Sequence, residues 1–364
     1  MKILFLGAAI SNHTIRWVNS LSNRGHDVLL VCRGDQKAKD ENIKISSNVR
    51  IHYLRFGAGV GYYLNAFELR NVYNKFKPDI VNAHYATGYG ALARHAGVKP
   101  LVLSFWGSDI FEYPYLGRFN RKLLLKNIKY ADAVASTSRA MAKKIKEVYP
   151  ELQKKIYVTP FGIDTELFKP IEREPNKRPI IGIVKYLKPI YDIPLLINAF
   201  SIVWHKIDPK PLLYIYGGGP LQSELEKLCF ELGIREDVHF FGTIPNTKIA
   251  VAINEMDIFV NCSKAESFGV ALLEAMACKV PVIATDTEGY IEIVINGENG
   301  IILKDREPNT MASEIIKLLQ NEELRKRLGE NGRNRVVDLY DWNKDVGIME
   351  SLYKSTAERF KEVK

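Results

Sequence analysis

Long apolar runs are missing from this sequence of 364 residues, and cysteine is scarce. A helix that spans a bilayer needs about 20 consecutive apolar residues, and no run approaches that length. The first ten residues resemble a signal peptide weakly, but we interpret them as a first buried strand that opens into a loop. The four cysteines lack the spacing of metal ligands, and a chain of this size does not need a disulfide framework. We therefore expect a cytoplasmic protein.

Acidic residues are few in the first half of the chain. Residues 1–170 contain 26 lysines and arginines against 13 aspartates and glutamates, whereas residues 171–364 contain 25 against 29. This excess of positive charge indicates an anionic partner for the first half. The candidates are a membrane surface, an acceptor linked to a lipid pyrophosphate, and nucleic acid. No nucleic-acid-binding motif is present, so we expect no nucleic-acid partner.

Short apolar runs alternate with helical patterns along the whole chain. Runs such as 3–6, 28–32 and 80–83 begin the alternation, and it resumes at 180–184 after a segment rich in proline and glycine, 158–170. This pattern predicts an α/β protein with parallel sheets covered by helices on both faces. The length suits two domains. Ligands of such sheets bind beyond the carboxyl ends of the strands.

The most informative stretch is residues 261–285, which read NCSKAESFGVALLEAMACKVPVIAT. We interpret it as the end of a strand, a polar loop, a glycine, a helix of small residues and a second strand. The start of such a helix offers free N–H groups and a positive dipole end to an anion. Glu266 and Glu274 frame the turn, and a carboxylate is a good acceptor for paired sugar or ribose hydroxyls. The stretch therefore predicts a nucleotide-sugar site.

This stretch resembles the Glu-x7-Glu signature of the retaining glycosyltransferases of family 4, which have the GT-B fold. A dozen residues match the signature in order, including Glu266 and Glu274, while Ser267 replaces the usual glycine. Residues 158–170 are similar to the segment between the two domains of that family. Further similar segments are the Gly-x-Gly-Pro turn at 217–220 and the glycine-rich run at 289–300.

The resemblance implies an α/β GT-B fold, in which two Rossmann-like, doubly wound parallel-sheet domains face a cleft. It implies an acceptor-binding domain at residues 1–168, a nucleotide-sugar-binding domain at 169–340, and a helix at 341–364 that crosses back to the first domain. The implied reaction is retaining transfer of a sugar from a UDP- or GDP-linked donor, without a cofactor.

The resemblance and the charge together indicate cell-surface glycan synthesis, such as that of lipopolysaccharide or capsule. The acceptor would be a glycolipid, a polysaccharide or a polyprenyl-pyrophosphate-linked glycan. The protein would lie in the cytoplasm, peripherally on the inner face of the cell membrane.

Within that fold, Glu266 is expected to hold the hydroxyls of the donor sugar as a catalytic residue. Glu274 is expected to accept hydrogen bonds from the ribose hydroxyls. Backbone amides of the turn between Glu266 and Glu274 would contact phosphate or sugar. The other donor-binding candidates on the turns and the base-binding loop are Ser267, Phe268, Gly269, Val270, Gly218 and Ile244. The Gly-x-Gly-Pro turn alone fits an ordinary strand–helix connection equally well.

The cations that usually grip the diphosphate in this family are replaced. The usual arginine position falls on Tyr186, and the usual lysine position falls on Ile190. We expect Lys185, Lys188 or Lys264 to reach the diphosphate instead, although each also fits a solvated surface lysine. Because the chain has no Asp-x-Asp motif, we expect no metal, with lysine and the helix dipole neutralising the leaving group.

Two candidate catalytic residues on the acceptor side, His84 and Asp109, each follow a predicted strand. Asp109 could orient the acceptor hydroxyl, but a carboxylate that caps a turn is an equally good interpretation. Trp106 stands where the family often has histidine, which puts a histidine-based role there in doubt. His84 and His13 each also fit a turn residue or a buried histidine whose hydrogen bonds are satisfied.

A basic, aromatic helix is predicted over 62–76 and a second basic helix over 120–129. They fit contact with an anionic bilayer, and they also fit ordinary helices with one solvated face.

Two other functions stay open. A nucleotide-sugar epimerase of the same architecture would turn over the donor without an acceptor. A catalytically weak sugar-nucleotide-binding protein would bind the donor without turnover, and the residues at 186 and 190 favour it.

Overall fold

The computed structural model describes residues 1–37, 44–57 and 59–362. The chain divides into two compact units. The first contains Met1–Pro160 together with Asp345–Lys364, and the second contains Phe161–Lys344. No helix in the described ranges combines the length and the apolar character needed to cross a membrane.

The first unit is built on a seven-stranded parallel sheet. Its strands are β1 (Lys2–Leu6), β2 (Asp27–Arg33), β3 (Arg50–Leu54), β4 (Ile80–His84), β5 (Leu101–Phe105), β6 (Ala133–Ser136) and β7 (Ile156–Val158). Their order in the sheet is β3-β2-β1-β4-β5-β6-β7, so the winding reverses between β1 and β4. Ligands of doubly wound sheets bind at the carboxyl ends of the strands where the order reverses. His84 ends β4 at that point.

Helices cover both faces of this sheet. They are α1 (Asn12–Asn23), α2 (Gly61–Leu64), α3 (Ala66–Phe76), α4 (Gly88–Ala96), α5 (Ser108–Phe111), α6 (Arg118–Tyr130) and α7 (Arg139–Val148). The prediction of a single helix over 62–76 is wrong, because the structure divides this segment into two helices at Asn65. The buried carboxamide of Asn65 accepts from the amide of Phe56 and donates to its carbonyl, at 3.0 and 2.8 Å. These bonds fix a turn between α2 and α3.

The second unit contains a six-stranded parallel sheet. Its strands are β8 (Ile180–Val184), β9 (Leu212–Tyr216), β10 (Val238–Gly242), β11 (Ile258–Asn261), β12 (Val282–Ala284) and β13 (Ile301–Ile302). The order β10-β9-β8-β11-β12-β13 reverses between β8 and β11, where Ile181 pairs with Ile258. The predicted α/β class, with two Rossmann-like doubly wound parallel sheets, is confirmed.

The helices of the second unit follow the same alternation. They are α8 (Ile193–Lys206), α9 (Gln222–Glu231), α10 (Asn246–Asn254), α11 (Val270–Ala277), α12 (Glu288–Ile293), α13 (Pro308–Gln320) and α14 (Glu322–Leu339). Residues of β8, β9, β11, α8 and α13 make up most of its apolar core. This core fixes the ends of β8 and β11, from which the loops with the predicted donor residues extend.

The last helix, α15 (Trp342–Glu362), has most of its length in the first unit. Its buried Tyr353 donates a hydrogen bond of 3.0 Å to the carboxamide of Asn82 on β4. Its Glu350 carboxylate pairs with Arg24 at 2.9 Å and with His26 at 2.7 Å. These polar contacts attach the end of the chain to β4 and to the segment between α1 and β2.

Candidate active site

A glycine turn connects the loop after β11 to α11. Gly269 immediately precedes the helix and has a φ of +104°, a left-handed conformation that favours glycine. A Cβ at this position would lie 2.8 Å from the ring of Tyr290. The amides of Leu272 and Leu273 donate to the carbonyl of Gly269 at 3.0 and 3.2 Å, and the two helical N–H groups before them have no carbonyl partner within the helix. The sequence therefore places a helix start with free donors at the carboxyl end of β11.

Glu266 lies in the loop before this turn, and its side chain is 18% exposed. One carboxylate oxygen, Oε2, lies 2.5 Å from the ammonium of Lys185 and 3.4 Å from the hydroxyl of Tyr290. The main-chain carbonyl of Glu266 accepts from the amide of Gly289 at 3.1 Å. The carboxylate is thus held by a cation and a phenol, and it remains partly open to solvent.

Tyr290 belongs to the site, although the sequence analysis did not single it out. Its hydroxyl lies 2.9 Å from Oγ of Ser263 and also reaches Glu266. Burial and the neighbouring charge of Glu266 raise the pKa of Tyr290 well above its usual value, so the phenol keeps its proton. The sequence signal was its place in the run 289–300, but nothing in the sequence relates that run to Glu266.

The predicted residues around the helix start differ in what they offer to a ligand. Glu274 is buried on the second turn of α11. The ring of Phe268 is buried against Phe161 and Tyr340, with centroids 6.4 and 5.8 Å away, so the ring does not face a ligand. The other two, Ser267 and Val270, are half-buried.

The three lysines expected to reach a diphosphate lie in different surroundings. Lys185 follows β8, pairs with Glu266, and has its ammonium 4.6 Å from the ring centroid of Tyr191. Lys188 is exposed over the ring of Tyr186. Lys264 is half-exposed and lies 3.5 Å from the carboxylate of Asp192. Lys185 is therefore the lysine that lies against the predicted sugar-binding carboxylate.

A second charged contact fixes the loop that contains Glu266, and it was not found from the sequence. Arg306 pairs with Asp192 at 2.6 Å and donates to the carbonyls of Cys262 and Ser263 at 2.7 and 2.9 Å. It therefore connects the start of the loop to the start of α8. Within the described ranges, no group of three or more His, Cys, Asp and Glu side chains is placed to hold a metal ion.

The glycines after β9 allow the ends of β8 and β9 to approach closely. A Cβ on Gly217, whose φ is +137°, would lie 1.9 Å from the carbonyl oxygen of Lys185. The carbonyl of Gly218 accepts from the amide of Leu187 at 2.9 Å. Gly218 therefore lies beside the segment that carries Lys185. The base-binding candidate Ile244 is half-buried in the loop between β10 and α10.

In the first unit, Asp109 holds a turn together. Its carboxylate accepts from the amides of Ala86, Trp106 and Gly107 at 2.9 to 3.2 Å. It is 1% exposed, and burial raises its pKa to about 6 against the opposing effect of these amides. These contacts are the ones expected of a carboxylate that caps a turn. Contact between Asp109 and an acceptor hydroxyl stays a prediction.

His84 lies among aromatic rings at the end of β4. Its ring centroid is 4.1 Å from that of Phe5, 4.4 Å from that of Trp106 and 6.2 Å from that of Trp17. Neither ring nitrogen has a hydrogen-bond partner among the described residues, and burial lowers the pKa well below its usual value. Burial and the charge of Arg16 likewise lower the pKa of the nearby His13 to about 4. Both imidazoles are therefore neutral at pH 7.

Two family models match the chain. The model described as glycosyl transferase 4-like matches residues 2–138, and the model described as glycosyl transferases group 1 matches residues 164–335. The chain belongs to the group 1, family 4 glycosyltransferases. The family assigned from residues 261–285 is thereby confirmed.

Relatives and solved structures agree with this membership. The N-acetyl-alpha-D-glucosaminyl L-malate synthase of Bacillus anthracis is 26% identical over 355 residues, which cover 92% of this chain and 90% of the relative. The sucrose-phosphate synthase of Thermosynechococcus elongatus superposes with a TM-score of 0.84 at 20% identity over 98% of both chains. An Anabaena protein solved in complex with UDP-glucose superposes with a TM-score of 0.79 at 19% identity, over 97% of this chain and all of that one. The predicted GT-B fold is confirmed.

Proposed function

We propose that this protein is a retaining glycosyltransferase that moves a sugar from a nucleotide-sugar donor to an acceptor in cell-surface glycan synthesis. The observation that carries the proposal is the contact between Lys185 and Glu266 beside the glycine-initiated helix α11. A sugar-binding carboxylate, a cation for the diphosphate and free backbone donors are the groups that glycosyl transfer requires at one place.

The roles of the residues follow from how charge develops during transfer. The anomeric carbon becomes positive as its bond to the diphosphate oxygen breaks, and the departing diphosphate gains negative charge. Glu266 holds the hydroxyls of the donor sugar, while Glu274 accepts those of the ribose. Lys185 and the N-terminus of α11 stabilise the diphosphate, so that the transfer needs no metal.

The acceptor oxygen attacks the anomeric carbon from the face that the diphosphate leaves. A new bond between that oxygen and the anomeric carbon replaces the bond to the diphosphate, and the configuration is retained. The acceptor proton moves to the departing phosphate oxygen, which balances the charge. This route assigns no proton transfer to Glu266, which is left to hold the sugar.

The donor is a UDP- or GDP-linked sugar. The structural neighbour solved with UDP-glucose supports a nucleotide-sugar ligand. We assign donor binding to residues 169–340 and acceptor binding to residues 1–168, with His84 and Asp109 on the acceptor side. The acceptor is a glycolipid, a polysaccharide or a polyprenyl-pyrophosphate-linked glycan of lipopolysaccharide or capsule type. The protein acts in the cytoplasm, peripherally on the membrane.

Thermal-shift measurements with UDP, GDP, ADP and their sugars test the donor site. The correct nucleotide sugar should raise the melting temperature, and Glu274→Gln should remove that rise. Glu314→Gln on α13 is the control, since it makes the same change at a half-buried glutamate of the same unit and should keep the rise. An unchanged rise in Glu274→Gln contradicts the donor site.

Turnover then separates transfer from the alternatives. Release of free nucleotide that depends on an added glycolipid or polyprenyl-pyrophosphate acceptor supports a transferase. Epimerised sugar formed without an acceptor identifies an epimerase. Donor binding with no turnover for any acceptor identifies a binding protein.

A further inference from the structure

Large apolar side chains project into solvent from one part of the first unit. Phe67 is 78% exposed, Phe119 is 73% exposed and Leu116 is 72% exposed, and Tyr115 and Leu64 follow at 62% and 57%. Residues of these types are usually buried, and a cluster of exposed ones marks a surface that binds something. We call these five residues the apolar patch.

Both parts of the apolar patch belong to elements that adjoin α4. Helices α2 and α3, with Leu64 and Phe67, pack on α4, and α6 packs on α4 as well. The rings of Tyr63 on α2 and His95 on α4 lie 5.1 Å apart, while Arg94 on α4 donates to Asn127 on α6 at 2.9 Å. Burial, and to a smaller extent the neighbouring Tyr63, raise the pKa of Tyr113, which lies two residues before Tyr115.

The backbone around the apolar patch is fixed rather than loose. The buried Asn65 bonds both main-chain groups of Phe56, and Leu64 and Phe67 lie on either side of this turn. Leu116 ends a short 3-10 helix that leads into α6, and Phe119 lies in the first turn of α6. Their exposure is therefore a property of ordered helices and turns.

Positive charge lies beside the part of the apolar patch that leads into α6. Helix α6 contains no acidic residue, and its exposed cations are Arg118, Arg121, Lys122, Lys126 and Lys129. The ammonium of Lys144 lies 5.7 Å from the ring centroid of Tyr115. Of the nearby acids, Glu112 is exposed, whereas Glu68 already accepts from His52 and from the amide of Arg55. A partner of this surface must offer an apolar interior below a layer of negative charge.

We propose that the apolar patch and the cations of α6 together form a docking surface for an anionic lipid bilayer. The patch consists of side chains that project from turns and from the ends of helices, which suits insertion among lipid headgroups. Lysines and arginines beside it would keep their charges at the level of the lipid phosphates while their aliphatic parts cover apolar surface. The inference rests on the membrane partner of the proposed function and gives that partner a defined surface.

Vesicle co-sedimentation of the full-length protein, without any nucleotide sugar, tests the surface. The protein should bind vesicles that contain phosphatidylglycerol, should bind vesicles of phosphatidylcholine alone much more weakly, and should lose affinity as salt is raised. Phe67→Ser combined with Phe119→Ser should weaken binding at least about tenfold, since both rings lose their burial in lipid. Lys122→Gln combined with Lys126→Gln should weaken it about fivefold for each charge removed.

The second unit offers matched controls. Phe230 is 76% exposed, so Phe230→Ser removes an equally exposed ring. Lys227→Gln combined with Lys326→Gln removes two exposed charges from that unit, as many as the lysine pair on α6. Both controls should bind vesicles like the unchanged protein, because they remove an exposed ring or two exposed charges outside the proposed surface.

Several results would overturn the proposal. Equal binding to both kinds of vesicle, or unchanged binding after the two phenylalanine substitutions, shows that the apolar patch does not dock on anionic lipid. A concentration-dependent dimer abolished by the same substitutions assigns the surface to a second copy of the chain. Because the assay contains no nucleotide sugar, vesicle binding without a donor-induced thermal shift refutes the donor site alone.

Discussion

The ammonium nitrogen of Lys185 lies 2.5 Å from a carboxylate oxygen of Glu266, although 81 positions separate the two residues in the chain. The pair neutralises two charged groups that are both largely buried, at 14% and 18% exposure. A donor would separate their roles, since its hydroxyls need the carboxylate and its diphosphate needs the ammonium. The pair therefore holds both groups near the positions that a donor would use.

We expect Lys185→Gln to lower kcat/KM for the correct donor about 100-fold, because the charge on the departing diphosphate loses its cation. Lys185→Arg should recover part of this activity, since it restores a cation. Lys188→Gln is the control, because Lys188 is exposed and should contribute little. Equal losses in the Gln variants of both lysines would contradict the role given to Lys185. The measurement is steady-state kinetics with the donor identified by thermal shift.

Tyr290→Phe should weaken donor binding about fivefold, because Glu266 loses one of the groups that orient it. The cost in folding free energy should be about 1 kcal/mol, as for one hydrogen bond. Tyr353→Phe is a matched control, since it removes a buried phenol that bonds Asn82 in the first unit. It should lower stability similarly and leave the KM for the donor unchanged. A KM for the donor that is unchanged in Tyr290→Phe would show that the phenol has a structural role alone.

Gly269→Ala should impair both stability and donor binding. The substitution strains a left-handed backbone by about 1–2 kcal/mol and also forces a methyl group against the ring of Tyr290. Gly233→Ala measures the cost of backbone strain alone, because Gly233 has a φ of +69° with nothing within 4 Å of the added Cβ. Melting temperatures of both variants should fall, with the larger fall and the weaker donor affinity in Gly269→Ala. Equal effects would contradict close contact with Tyr290.

The first unit should lose stability on acidification, in part through His13. Its pKa is about 4 in the folded protein against 6.5 ordinarily, so folding disfavours the protonated ring. The stabilisation is present above pH 6.5 and is lost as the pH falls toward 4, by at most about 3 kcal/mol because part of the ring reaches solvent.

Asp109 acts in the opposite direction over the same pH range. Its raised pKa of about 6 means that its contribution is lost as the pH rises from 3.8 through 6. Melting curves of the unchanged protein and of His13→Phe between pH 4 and 7 separate the contributions of His13 and Asp109. The variant removes only the contribution of the histidine to the pH dependence of stability. Parallel pH profiles would contradict the lowered pKa of His13.

Patterns local in sequence predicted the fold well. The alternation of strands and helices, and the spacing within residues 261–285, depend on neighbouring residues and were sufficient for the class of both sheets and for the family. The break in the helix predicted over 62–76 was missed, because it depends on hydrogen bonds between Asn65 and Phe56, which lies nine positions earlier and outside the helical pattern. A propensity pattern cannot contain a contact made after the chain has folded.

The candidate site was predicted less completely, for the same reason. Three lysines were equivalent candidates for the diphosphate, and the folded chain brings Lys185 against Glu266. Tyr290 and the contact between Arg306 and Asp192 join positions far apart in the sequence. Asp109 had two interpretations, and its burial among backbone amides could not be read from the residues that flank it.

Because α15 packs on the first unit, it determines which fragment of the chain can contain that unit in folded form. A fragment that stops at residue 160 would leave the Asn82 carboxamide without the phenol of Tyr353, and Arg24 and His26 without Glu350. Such a fragment should be poorly soluble. Joining residues 345–362 to its end through a flexible linker should restore a folded piece, because the missing polar partners come from that short tail.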